Sequence, residues 1–208
     1  MEDITTANEM LDVFQANAWA DEPAAFFAAR GLEHGTVQRF GLGYTSDWGR
    51  TAQGDVRHSL VIPYEDGLGN LRYVRFRPLR HKDGAPKYVT PGDQKAHLFA
   101  VRALDNDTVH IAEGELDAMI LWQIGLKAVA VPGAQTFRPA WRHLFRPPHV
   151  RRAVLVLDPD KAGMSAAKRL YDLLSDVCDT HAVSLPKGMD INDVYLKYGA
   201  ETLRKAVA

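Results

Sequence analysis

The sequence predicts an α/β fold. A mainly parallel sheet flanked by helices should fill residues 108–208, preceded over residues 1–107 by a smaller α+β part made of helices and a basic β-hairpin. Three observations predict this. From Thr108 onward, apolar runs of strand length alternate with segments whose apolar residues recur at helical spacing, the pattern of a parallel sheet with crossover helices. Val154, Leu155, Val156 and Leu157 form an unbroken apolar run, as in a strand covered on both faces. Before Thr108, residues 71–77 alternate in the two-residue period of a strand.

Composition bounds the function. The chain has 208 residues, 46% of them hydrophobic, enough for one domain or two small ones with a proper core. Lys and Arg total 25 against 26 Asp and Glu, so binding to nucleic acid would have to come from local basic patches. One cysteine, Cys178, excludes a disulfide framework or a zinc ribbon within the chain. Apolar runs fall far short of the roughly 20 residues of a membrane span, so a cytoplasmic protein without membrane contact is expected. The glycines form neither a dinucleotide fingerprint nor a P-loop, so no helicase motor is present.

In chain order, residues 4–18 predict a helix with Met10, Leu11 and Phe14 on one side, punctuated by Asp21, Glu22 and Pro23. Residues 24–31 and 32–40 predict two more, each closed by glycine. Residues 58–77 read as a hairpin, with strands 60–64 and 71–77 around a turn at 65–69. Alternation puts Val74 and Phe76 on the core side, and Tyr73, Arg75 and Arg77 on the other, facing solvent. Arg80, His81, Lys82 and Lys87 extend the basic run. Guanidinium and ammonium groups pair with phosphates and aromatic rings stack on bases, so this face is a candidate strand-binding surface. A solvated basic edge that blocks aggregation is the competing reading.

The second half predicts a strand from Thr108, a helix from Leu116, a strand over 127–131 and a short helix over 137–145. A strand over 151–157, a helix over 161–177, a strand over 181–185 and a helix over 190–207 follow. Carboxylates gather where strands run into helices. Glu113 ends the first strand, Asp117 lies one helical turn on, and Asp158 and Asp160 follow the third. In an open parallel sheet the carboxyl ends of the strands share one edge, where ligands bind. Clustered carboxylates repel one another, and a hard divalent cation relieves that repulsion.

Glu113-Gly-x-x-Asp117 after one strand, then Asp158-x-Asp160-x-x-Gly163 after a later one, resembles the TOPRIM domain shared by bacterial and phage primases, topoisomerases and some nucleases. Lys187-Gly-Met-Asp190-Ile-Asn-Asp193 resembles the third acidic element of primases. Pro86-Lys87-Tyr88 with Lys95, Leu98 and Phe99 is similar to the primase basic motif, and Arg57 and Arg77 fall near the family's other basic positions, with Arg80 competing for the role of Arg77. The resemblance spans about residues 25–200. It implies Mg²⁺ or Mn²⁺ held by Glu113, Asp117, Asp158, Asp160, Asp190 and Asp193, with Glu113, Asp158 and Asp160 catalytic. It implies nucleic acid or nucleotide bound by Arg57, Arg75, Arg77, Arg80, Lys87, Lys95 and Lys161.

Plainer readings stand beside these. Glu113 at a helix start is favoured by the helix dipole alone. Asp160 can cap the helix that begins at Lys161, and Asp190 with Asp193 has the spacing of a capping pair. Lys161 either pairs with phosphate or offsets the neighbouring carboxylates. His110, inside a predicted buried strand, reads as structural. A second basic cluster, Arg138, Arg142, His143, Arg146, His149, Arg151 and Arg152, tracks a nucleic-acid backbone or forms a solvated face. The reading these motifs imply is a primase-like nucleotidyltransferase making short RNA primers. Its partners would be single-stranded DNA, nucleoside triphosphates, and a replicative helicase or a zinc-module protein. A TOPRIM nuclease and a non-catalytic replication subunit are the alternatives.

Overall fold

A computed structural model describes residues 4–51, 54–80, 84–92, 94–132 and 136–208. The chain divides into two compact units, Met1–Lys95 and Ala96–Ala208. Residues 96–107, grouped by the sequence with the first half, pack in the second unit: Phe99 bridges antiparallel to Ala130, and Leu98, Ala103 and Leu104 join the core there.

The first unit opens with four helices, α1 (Ile4–Glu9), α2 (Leu11–Ala16), α3 (Asp21–Ala29) and α4 (His34–Arg39). The single helix expected over residues 4–18 is two short ones, because Met10 takes φ −87° and ψ 0° and interrupts the helical path. Pro23 does not precede the second helix but sits in the first turn of α3, where its missing N–H removes no intrahelical bond. Strands β1 (Gly43–Thr45), β4 (Ser59–Glu65) and β5 (Leu71–Pro78) form an antiparallel sheet in the order β1-β4-β5. Strands β2 (Arg50–Thr51) and β3 (Gly54–Asp55) make a separate two-stranded ribbon. Val61, Val74 and Phe76 are fully buried with Phe14 and Val89, the core side that the alternation predicts.

The other face of that hairpin corrects the sequence reading. Tyr73 is only 3% exposed and Arg77 9%, where both were expected to face water. Tyr73 is stacked on Tyr64, ring centres 4.7 Å apart; for Arg77 the cause is Val89, which bridges antiparallel to Phe76 at the edge of β5. Alternation then puts Tyr88 on the face of Arg75 and Arg77, and covers it.

In the second unit, β6 (Thr108–Ala112), β7 (Ala128–Ala130), β8 (Arg152–Val156) and β9 (Asp179–Ala182) are all parallel, in the order β7-β6-β8-β9. Helices α5 (Glu115–Gln123), α6 (Lys161–Leu174) and α7 (Ile191–Ala206) and two 3-10 helices, Val101–Asp105 and Pro139–Phe145, complete it. Val109 and Ile111 of β6 and Leu155 of β8 pack with Ala166, Leu170 and Leu174 of α6, and with Phe137 and Phe145. His110 points to the opposite face. Its Nδ1 lies 3.2 Å from the Lys127 carbonyl and its Nε2 3.1 Å from that of Val207, just beyond α7. Burial pushes its imidazole below the ordinary value against the pull of those two carbonyls, so His110 is a structural group, as the sequence suggests. The helices therefore cover both faces of the sheet. Helix α5 is apolar nearly all round, with Leu116, Met119, Ile120 and Leu121 buried, as befits a helix between the sheet and α7. Gly199, at φ 80°, divides the expected closing helix into two runs.

Candidate metal and nucleic-acid site

The acidic group is built at the carboxyl ends of the two central strands. In β6 and β8, Ala112 pairs with Val156, so Glu113, next after Ala112, and Asp158, two after Val156, leave the sheet at the same edge. Neighbouring strands lie about 4.8 Å apart, which brings the two backbones into one neighbourhood. Oε2 of Glu113 is a buried acceptor atom. Gly114 N-caps α5 in an extended conformation, and Asp117 folds back so that a Cβ on Gly114 would lie 3.0 Å from its Oδ2.

Across the sheet edge, α6 starts directly against Asp158. A Cβ on Gly163 would lie 2.1 Å from the Asp158 carbonyl oxygen, so only glycine permits this approach. Asp160 caps the helix, its Oδ1 accepting from Gly163 N–H at 2.7 Å. One oxygen of Asp160 is thereby committed to the backbone. Lys161, the first residue of α6, is exposed.

Asp190 and Asp193 form a reciprocal capping box at the start of α7. Asp193 N–H donates to Asp190 Oδ1 at 2.7 Å, and Asp190 N–H to Asp193 Oδ2 at 3.3 Å. The capping alternative is thus realised, while the outer oxygens leave ligation chemically open. Among the described residues, no three His, Cys, Asp or Glu side chains gather closely enough to enclose an ion. Mg²⁺ takes one or two carboxylates and leaves other positions to water and substrate phosphates. Glu113 and Asp158 are hard oxygen donors of the required kind.

The basic candidates of the first unit fall into three states. Arg75 and Arg77 stack on Tyr88, their guanidinium carbons 4.2 Å and 5.2 Å from its ring centre, and Arg77 donates to the Tyr88 hydroxyl at 2.7 Å. Arg77 also lies over Phe26 of α3, and Arg75 donates to Tyr64 Oη at 3.4 Å. Stacking fixes the plane of a guanidinium and leaves its edge N–H groups able to meet an anion. Arg57 and Arg80 are engaged in ion pairs, with Asp55 and Glu22 respectively. Lys87 and Lys95 are exposed, and His81 and Lys82 lie outside the described residues.

Sequence reading missed two residues of this cluster. Tyr88 orients two arginines, and its place in Pro86-Lys87-Tyr88 was the available signal. Glu22 gave none, since its partners lie 22 to 58 residues away: it accepts from Arg80 Nε at 2.8 Å, from Tyr44 Oη, and meets His58 Nδ1 at 2.9 Å. Burial raises the Glu22 carboxyl, but hydrogen bonds from Arg80, Tyr44 and His58 outweigh it and hold the group at about 2 instead of 4.5. Burial and the bond to Glu22 push Tyr44 up to about 12. In the second basic cluster, Arg142 pairs with Asp176, Arg151 with Asp107 and Arg152 with Asp179, while Arg138 lies over Trp141. Several of its charges are therefore spent within the fold.

The Toprim-like family matches residues 110–195, spanning the three acidic elements. The Gene 57 protein of Mycobacterium phage D29 is 33% identical over 156 residues, which cover 73% of this chain and 99% of that protein. A DNA primase of Clostridium acetobutylicum is 26% identical over 88% of this chain but 36% of its own length. The chain belongs to the family of the phage Gene 57 protein and carries a Toprim-like domain. Among solved structures, the Aquifex aeolicus primase, with its zinc-binding and RNA polymerase domains, superposes with a TM-score of 0.82 at 22% identity, over 97% of this chain and 59% of that one. The Toprim fold of the second unit is thus shown, and the chain spans about a quarter to two fifths of the bacterial DNA primases it matches. No helix among the described residues is long and apolar enough to cross a membrane.

Proposed function

We propose that this chain acts as the nucleotidyl-transferring core of a primase, joining nucleoside triphosphates into short RNA primers on single-stranded DNA. The placement of Glu113 and Asp158 at the ends of adjacent central strands of a Toprim-like unit carries the reading. Glu113 and Asp158, with the second oxygen of Asp160, would hold Mg²⁺ or Mn²⁺. When bound, the metal lowers the pKa of an attacking hydroxyl and neutralises charge on the triphosphate. The protein's own groups hold and orient. Arg75, held by Tyr88, presents N–H edges to phosphates, Arg77 braces Tyr88 from within the fold, and Lys87 and Lys95 add positive charge. Lys161 offers an ammonium at the start of α6, where the helix dipole also favours an anion. Asp117, Asp190 and Asp193 are secondary ligands in this reading. The partners it assigns are template DNA, nucleotides, a zinc-module protein and a replicative helicase, in the cytoplasm.

Incubating the purified chain with Mg²⁺ or Mn²⁺, single-stranded DNA and labelled nucleotides tests the reading. Labelled oligomers are expected, and should vanish in Glu113→Gln and Asp158→Asn. Cleaved template would instead identify a nuclease, and retarded DNA with no product a binding subunit.

A further inference from the structure

A groove between α6 and the end of β9 adjoins the acidic edge, sharing Gly163 with the cap made by Asp160. It encloses about 390 Å³, and Asp158 is among its lining residues. Its helical wall follows one stripe of α6. Gly163 and Ala167 leave a recess, flanked by Met164 and Tyr171, seven residues apart and hence on the same helical face. Met164 is 68% exposed and Tyr171 46%, although the opposite face of α6, with Ala166, Leu170 and Leu174, is packed in the core. Met164 and Tyr171 take no part in that core. Lys168 and Ser184 add a cation and a hydroxyl to the same lining.

We propose that this groove seats the base and sugar of a nucleotide whose phosphate chain runs toward Asp158. The proposal rests on the nucleotidyl-transfer reading and adds the place where the base lies. The volume falls in the range of small-molecule sites. A tyrosine ring and a thioether beside a narrow recess suit the flat face of any base, with no demand on its identity. Ser184 can exchange a hydrogen bond with a sugar hydroxyl. Lys168, in the same lining, is held by Asp172 at 2.9 Å. Continuity with Asp158 selects a nucleotide over an apolar peptide, because a carboxylate in the lining repays occupancy only when a ligand with metal-binding phosphates lies next to it.

The test uses the whole chain in Mg²⁺, titrated with GTP and, separately, with inorganic tripolyphosphate. The Met164 methyl resonance, assigned with Met164→Leu, should move on adding GTP and stay still with tripolyphosphate. Tyr171→Ala should weaken GTP binding about five- to tenfold and leave tripolyphosphate binding unchanged, while Tyr171→Phe keeps wild-type affinity for both. Both side chains are exposed enough for these variants to fold. If GTP binds without moving Met164, or Tyr171→Ala changes both ligands equally or neither, the groove is not the base site, and the nucleotidyl-transfer reading stands without it. If wild type binds neither ligand, that reading falls and takes the base site with it.

Discussion

Replacing Glu22 with glutamine keeps its shape and removes its charge, so it isolates what the carboxylate does for the first unit. Glu22 receives two bonds from Arg80, at 2.8 Å and 3.2 Å, and meets Tyr44 and His58. At about 1.36 kcal/mol per pH unit, the gap between 4.5 and about 2 is worth roughly 3 kcal/mol. The Glu22 side chain is 28% exposed and that of Arg80 65%, so solvent screening reduces the figure to about 1.5–2 kcal/mol. A group whose folded pKa is depressed stabilises the fold above its unfolded pKa and loses that contribution as pH falls through the folded one. Glu22→Gln should therefore unfold more easily than wild type at pH 7, and the difference should shrink between pH 4.5 and about 2. Urea unfolding followed by fluorescence reads this, since Trp19 and Trp48 report on the first unit. Equal stability at pH 7, or a difference that persists undiminished at pH 2, would refute the argument.

Three further outcomes are expected. Gly163→Ala drives a methyl into the Asp158 carbonyl and should cost about 2–3 kcal/mol in thermal unfolding while weakening Mn²⁺ binding; wild-type behaviour in both would show that α6 does not fix Asp158. Asp190→Asn should melt near wild type because asparagine still caps, whereas Asp190→Ala should lose about 1 kcal/mol; loss of metal affinity or activity in Asp190→Asn then marks ligation, and full retention marks a cap alone. Lys87→Ala and Arg75→Ala should weaken single-stranded DNA binding and each lower the salt slope by about 0.7, as measured by anisotropy across salt concentrations; slopes equal to wild type would remove that surface from the template path.

What the sequence revealed depended on locality. Strand-helix alternation, the all-apolar run at Val154 to Leu157 and the glycine at 163 are short-range signals, and they placed the Toprim sheet and its acidic edge correctly. Capping at Asp160, Asp190 and Asp193 was legible for the same reason, because donor and acceptor are three residues apart. Contacts made across the chain were not legible. Alternation along β5 separates two faces but cannot say that Val89 returns to its edge and lays Tyr88 over Arg75 and Arg77. Nor does anything local to Glu22 announce that Arg80 and His58 will meet it. Helix ends drifted where capping was weak: Met10 and Ala20 offer no side-chain cap, and the first helices started and stopped away from their expected places.

The bridges made by Val89 and Phe99 also bear on how the chain keeps to itself. Each is a single residue laid along an outer strand, Val89 on β5 and Phe99 on β7, and each closes hydrogen-bonding positions that a foreign strand would otherwise fill. The two guards thus lie within one short stretch of sequence, from Val89 to Phe99. A nick between them would leave both cores intact while loosening both guards, so a chain clipped in this stretch should stay folded at first and then associate through newly opened strand edges.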